Sequence, residues 1–237
     1  MKTLIHGPSV AIGAGITAAV IVAAFLAFDI FLDEEELVIE PTPTIQDAGL
    51  PKITMMTFLG NSSPLLGSSD APITLVEFGD YQCHFCNVFF HNTEEDILKN
   101  YIETGKVKMI FKDYTIIGPD SVTASHGAHC ADDQGLFWEY HDTLYNNWSG
   151  ENNGWASSDN LFRFAQETGL DMDQWSDCMT NSDHSEIILA SNQDAKALGL
   201  TGTPSFFVIG PDNKVTKLFG AQPYTQFENV FNSMLEN

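Results

Sequence analysis

Ile73 to Phe78 is a short apolar run closed in by Pro72 and Gly79, the pattern of a buried strand. Beyond it Val88, Phe89, Ile97, Leu98 and Tyr101 recur near helical spacing as far as Gly105, a residue suited to ending a helix. Val107 to Phe111 then alternates as a second strand. Strand, helix and strand within about 40 residues make a βαβ unit, whose strands must be parallel. The pattern changes at Ser121, after which the spacing predicts helices over Ser121–Gln134, Leu136–Asn146, Ser158–Thr168, Met172–Met179 and His184–Leu198. Clusters of Asn, Gly and Ser, such as Glu151 to Gly154, punctuate them. Ser205 to Ile209 and Val215 to Phe219 read as strands, with a hairpin turn at Pro211-Asp212-Asn213, and Tyr224 to Leu235 closes as a helix. The expected order is βαβ, a helical block, then ββα.

A different pattern occupies the N-terminus. No charged residue interrupts Ser9 to Phe28, a run long enough to cross a bilayer, which takes about 20 residues. Lys2 precedes it and Asp29, Asp33, Glu34, Glu35 and Glu36 follow, a charge order that favours the N-terminus inside and the body outside. A cleaved signal peptide is the rival reading, but its apolar region runs to roughly 7–15 residues and ends at an Ala-x-Ala-like site, which is not evident near Phe28. The expected organisation is a membrane anchor over residues 1–32, with residues 9–28 as the span, and an acidic, Pro- and Thr-containing stalk over residues 33–52. One domain follows over residues 53–237, with a helical insertion at about 119–198. The expectation is thus a single-pass protein of the cell membrane whose folded body lies outside the cytoplasm.

Charge narrows the partners. Lys and Arg number 10 against 32 Asp and Glu, a net charge of -22, which repels nucleic acid and anionic lipid and argues against either as a ligand. Solubility or adaptation to salt accounts for such a surface; recruitment of basic substrates is the sharper alternative.

Four cysteines carry the candidate chemistry: Cys83, Cys86, Cys130 and Cys178. Cys83-His84-Phe85-Cys86 falls where a strand gives way to a helix, and C-x-x-C beside a βαβ unit reads as a thioredoxin-like redox motif. Two intervening residues on a first helical turn bring the sulfurs within bonding reach. The helix N-terminus, with its unpaired N–H groups, stabilises a thiolate, and a protonated His84 would add to this. Cys83, nearer the helix start, is expected to be the exposed attacking sulfur, and Cys86 the resolving thiol. Half of a zinc site is the competing account of C-x-x-C, but no second pair at matching spacing exists. Glu77 interrupts an apolar strand six residues before Cys83; it lies either on a solvated edge or beneath the pair, where it could relay the proton of Cys86. Cys130 and Cys178 both fall in the helical block, and an oxidising compartment favours a bridge between them. The alternatives there are His126, His129 and Cys130 as metal ligands on one helical face, or histidines that merely sit on a solvated face. Thr203-Pro204 precedes a strand, where a cis bond is possible but not implied by spacing.

Three segments in order, SSDAPITLVEFGDYQCHFC, AHCADDQGLFWEYHDTLY and ALGLTGTPSFFVIG, make the chain from about Leu65 onward resemble the DsbA-like branch of the thioredoxin superfamily. The resemblance implies an α/β thioredoxin-like fold with an inserted helical domain, here behind one N-terminal transmembrane helix. It further implies that Cys83 attacks, that Pro204 is cis and faces the pair, that Thr203 flanks the substrate groove, and that Glu77 serves the buried cysteine. Relatives often carry Pro after the first cysteine where this chain has His84, which bears on redox poise. The implied enzyme is a protein thiol–disulfide oxidoreductase, needing no cofactor, that introduces disulfides into secreted or membrane proteins. A membrane quinone-linked thiol oxidase is its implied reoxidant. A reductase or isomerase using the same pair, a non-catalytic peptide-binding or chaperone module, and a metal carrier are the rivals.

Overall fold

The computed structural model describes residues 52–181 and 184–236. A short helix, α1 (Met55–Leu59), leads into β1 (Ile73–Gly79). Helix α2 begins with His84–Phe89 and runs on through a π-helical turn, Phe90–Glu94, a short α turn, Glu95–Ile97, and a second π-helical turn, Leu98–Ile102. After β2 (Val107–Asp113) come five helices: α3 (Pro119–Asp132), α4 (Phe137–Asn146), α5 (Ser158–Thr168), α6 (Met172–Asn181) and α7 (Ser185–Ala197). The hairpin of β3 (Ser205–Ile209) and β4 (Val215–Phe219) and the last helix, α8 (Tyr224–Leu235), complete the order.

The four strands lie in the order β2-β1-β3-β4, with β1 parallel to β2 and antiparallel to β3. Period-two alternation divides β1 between two cores. Ile73 and Leu75 face Phe89, Ile97, Phe206, Phe227 and Phe231, the side covered by α2 and α8. Val76 and Phe78 face the opposite layer with Ile110, Phe207, Ala195 and Leu200. The helical insertion has its own apolar centre around Tyr140, Leu144, Phe164 and Trp175, and this centre reaches Tyr81, Cys83 and Cys86. This is a thioredoxin-like α/β fold carrying a helical insertion.

Strand β2 runs two residues past the end that the hydrophobic pattern predicts, because the charged residues there find buried partners. Lys112, with no exposed side-chain surface, donates to Asp194 Oδ2 at 2.9 Å and to the Gly60 carbonyl, and Asp113 pairs with His129 at 2.7 Å. The π turns of α2 widen its helix and change the angular spacing of residues along it, which a 3.6-residue period does not anticipate. No helix among the described residues is long and apolar enough to cross a membrane; the expected span over residues 9–28 and the stalk up to Pro51 lie outside them.

Candidate active site

The turn from β1 into α2 is held by one buried carboxylate. Asp80 Oδ1 accepts the Gln82 N–H at 2.8 Å, and its Oδ2 accepts the Ile116 and Ile117 N–H groups at 2.7 and 2.9 Å. Burial raises the Asp80 pKa even against these bonds. The turn delivers Cys83 to the N-cap of α2 with extended backbone (φ -68°, ψ 126°), so its sulfur meets the free N–H groups of the first turn, and Cys86 follows inside the helix.

Both sulfurs are thiols, and both are buried. The expectation of an exposed Cys83 is therefore corrected: only 4% of its surface is open, the residue belongs to the apolar cluster of the insertion, and its Sγ lies 3.4 Å from the Thr203 carbonyl. Cys86 is more deeply placed, at 0%. The Thr203–Pro204 peptide bond is cis. Thr203 Oγ1 is buried without a hydrogen-bond partner. A thiolate cannot donate to the Thr203 carbonyl, so once Cys83 ionises the hydroxyl is the group on Thr203 able to stabilise it.

The two cysteines titrate apart. The Cys86 thiol hydrogen-bonded to Cys83 lowers its pKa to about 6, with further help from Thr203 and the Cys86 and Phe85 amides, and against the cost of burial. Burial and the neighbouring Cys83 push Cys86 well above its ordinary value, and Glu77 pushes it further in the same direction. Alkylation of the reduced protein is expected to rise with a midpoint near pH 6, and the folded reduced form should gain stability between that pH and the ordinary thiol value of 9.0. That gain disappears as pH falls through about 6, and the disulfide form, with no thiol to titrate, should not show it. Thiolate absorbance against pH measures the midpoint; a value near 9 would remove the reactive-thiolate assignment.

Glu77 is not on a solvated edge. It is 1% exposed, its Oε2 has no hydrogen-bond partner, and burial raises its pKa well above the carboxylate range, assisted by Glu94 and Cys83. His84 is exposed at the start of α2; its N–H donates to Glu151 Oε1 at 2.9 Å, and its ring rests 5.2 Å from Phe85 and 5.6 Å from Trp148. Cys83, Cys86, Glu77, Thr203, Pro204 and His84 thus gather around one helix terminus.

Cys130 and Cys178 stand elsewhere in the insertion, joined as a disulfide between α3 and α6 with a Cα–Cα distance of 5.8 Å. His126 lies with both sulfurs in a cluster of the size that holds a metal, but each sulfur is committed to the other and offers no thiolate. A solvated histidine face is also overturned: His126 is 6% and His129 2% exposed. His129 Nε2 is bound by Asp113, which raises the His129 pKa despite burial.

The sequence reading missed the groups behind Cys86. Tyr81 OH lies 3.1 Å from His141 Nδ1, Tyr145 packs beside both rings, and His141 Nε2 is 4.0 Å from Glu94 Oε1. Glu94 is the one that a sequence could have flagged, as a charge at an inward position of an otherwise apolar helical stripe.

The comparisons with known proteins agree with this geometry. A family model described as Thioredoxin matches residues 61–218. A probable disulfide bond formation protein D of Bacillus cereus is 29% identical over 157 residues, covering 65% of this chain and 73% of that one. The crystal structure of alpha-DsbA1 from Wolbachia pipientis is 26% identical with a TM-score of 0.66, covering 74% of this chain and 91% of that one. Oxidised BdbD from Bacillus subtilis, at 24% identity and the same TM-score over 74% and 94% of the two chains, supports the fold. The chain belongs to the thioredoxin family, within its DsbA-like branch, and is a protein thiol–disulfide oxidoreductase.

Proposed function

We propose that this enzyme works as an oxidant outside the cytoplasm, introducing disulfides into secreted or membrane proteins through Cys83 and Cys86. The observation that carries the direction is the placement of Cys83 at the N-cap of α2, where the Cys86 thiol and the first-turn amides hold its thiol down to about 6. Whatever stabilises the thiolate stabilises the reduced enzyme, and so makes its disulfide a stronger electron acceptor. A substrate thiolate attacks Cys83 of the disulfide, the S–S bond breaks, and its electron pair passes to Cys86. A second substrate thiolate then displaces Cys83, a good leaving group because its thiolate is stable. Cys86 leaves into a buried site, where its raised pKa demands a proton; neutral Glu77 supplies it and takes it back on reoxidation. Thr203, beside Cys83, and cis Pro204 form one wall of the substrate site, and His84 and Phe85 form its exposed rim. The Cys130–Cys178 bridge is structural.

Residues 9–28 are proposed to anchor the protein with this domain outside, and a membrane quinone-linked thiol oxidase is the proposed electron acceptor. The charge order around the apolar run supports the orientation. Equilibration with a glutathione buffer tests the direction of catalysis. A potential above that of thioredoxin, about -270 mV, is expected, and one at or below it would make the enzyme a reductase. His84→Pro and His84→Ala show the share of that poise set at this position.

Glu77→Gln should separate catalysis from stability. A buried carboxylate with a raised pKa costs stability increasingly as pH rises above its ordinary value, so the variant should be more stable than wild type at pH 8 and little changed at pH 4. Proton transfer contributes about 10²–10⁴-fold, so its exchange rate should fall by at least ~10-fold. Thermal denaturation at both pH values and stopped-flow exchange measure the two effects. A slower and less stable Glu77→Gln protein would point to a packing role instead.

A further inference from the structure

The proton that Cys86 needs cannot come through Cys83 once substrate is attached there, because the attached chain covers that sulfur. Helix α2 carries a second route. Roughly two turns beyond Cys86, its first π-helical turn places Glu94 inward, 8% exposed, with Oε2 lacking any hydrogen-bond partner. A buried polar atom left unpaired is costly, and Glu77 Oε2, His141 Nε2 and Tyr145 OH in the same region share the condition. Such a group of orphans is the setting in which solvent enters and bridges. The entrance is adjacent: a surface cavity of about 230 Å³ is lined by Glu94 together with Phe90, His91, Glu95 and Asp142.

We propose that Glu94 relays protons between this cavity and Glu77, so that Cys86 is protonated and deprotonated from the side of the molecule away from bound substrate. The inference rests on the exchange reading of the Cys83–Cys86 pair. During oxidation of a substrate, the electron pair of the broken S–S bond goes to Cys86, Cys86 takes the proton of Glu77, Glu77 takes that of Glu94, and Glu94 is reprotonated from solvent in the cavity. Reoxidation runs the same transfers outward. Glu94 touches neither sulfur nor substrate, so it is a positioning residue that acts through Glu77.

Each carboxylate along the route holds its proton more tightly than a solvated carboxylate does. Asp142, at the exposed rim of α4, is raised to about 6 by burial and Glu139. Glu94 is raised to about 8, by burial and then Asp142, and Glu77 well above its ordinary value, by burial, Glu94 and Cys83. The other titratable groups around Glu94 are His91 and Glu95 on its own helix, His141, Glu139 and Tyr145 on α4, and Tyr81 before α2. His141 is held neutral, its pKa driven down to about 3 by burial, so it carries no competing positive charge at neutral pH.

The test follows reduction of the Cys83–Cys86 disulfide in the full chain by excess dithiothreitol, by stopped-flow fluorescence between pH 5.5 and 9, corrected for the thiolate fraction of the reductant. Wild type should slow as pH rises through about 8. Glu94→Gln should slow reduction about tenfold at pH 7, the modest end of general acid catalysis, and should lose that inflection. Glu94→Asp should restore part of the rate, and Asp142→Asn at the rim should slow it less than Glu94→Gln. The glutathione-equilibrated potential and the Cys83 alkylation midpoint should stay at wild-type values in Glu94→Gln. A Glu94→Gln rate within twofold of wild type with the inflection intact would overturn the relay, as would a potential and Cys83 midpoint that shift along with the rate. If wild type fails to oxidise a reduced protein substrate, the proposed function falls while the dithiothreitol rates still judge the relay.

Discussion

A Cys86→Ser protein is expected to accumulate mixed disulfides with substrate proteins through Cys83, while Cys83→Ser forms none and loses exchange activity by about 10³-fold or more. The asymmetry follows from the placement of the two sulfurs. Cys83 caps the helix, has the Thr203 hydroxyl and the first-turn amides to stabilise its thiolate, and is lowered to about 6. Cys86 is fully enclosed and raised by burial, so it ionises only when a proton is taken from it in place. An incoming disulfide or thiolate therefore meets Cys83, and without Cys86 nothing inside the protein resolves the adduct. The 4% exposure of Cys83 does not oppose this, since exchange needs only a narrow approach to the sulfur along its S–S axis. Non-reducing electrophoresis of acid-quenched protein, with and without dithiothreitol, reads the result. Equal trapping by both variants, or trapping by Cys83→Ser alone, would reverse the roles.

Removing the Cys130–Cys178 bridge should carry the largest cost in stability. The bridge closes a loop at a sequence separation of 48 and fastens α3 to α6. The chain-entropy relation assigns such a loop about 4 kcal/mol, gained because the unfolded chain loses freedom. For a domain of this size each kcal/mol moves Tm by roughly 2–4 °C, so a Cys130→Ala/Cys178→Ala protein should melt roughly 8–16 °C lower. Both cysteines are nearly fully buried among apolar neighbours, so alanine leaves no unpaired polar atom behind. Circular dichroism melting compares the two proteins; a change under about 2 °C would show that the helical block holds itself together without the bridge.

Most of the fold was legible because its signals are local. Helix α5, strands β3 and β4 and helix α8 have the bounds that their hydrophobic spacing predicts. Departures occur where a residue's environment is made by distant chain. Nothing in the local pattern around Lys112 and Asp113 reveals that Asp194 and His129 await them, so the predicted strand stops short. His126 and His129 suggest a wet face for the same reason: polarity is read from the residue, burial from the partner. At the site, Cys83, Cys86 and Glu77 stand out by spacing and by contrast with their surroundings. Glu94 shows only as a charge on an apolar stripe, its inward place being set by a π turn, and His141 does not show at all, because a separate helix of the insertion brings it in.

The loop between α4 and α5 has an evolutionary meaning. Trp148 Nε1 donates to the Gln82 carbonyl at 2.9 Å, the Asn152 N–H donates to Gln82 Oε1 at 2.9 Å, and Glu151 accepts the His84 N–H. The insertion thus supplies three of the hydrogen bonds that fix the residues on either side of Cys83. It is no interchangeable ornament on an older scaffold: a chimera that exchanged it for the insertion of a relative would exchange part of the catalytic rim as well. Changes in the two segments should therefore be inherited together, and a designer who wishes to retune the redox pair has a handle in Trp148, Glu151 and Asn152, more than sixty positions downstream of the cysteines they frame.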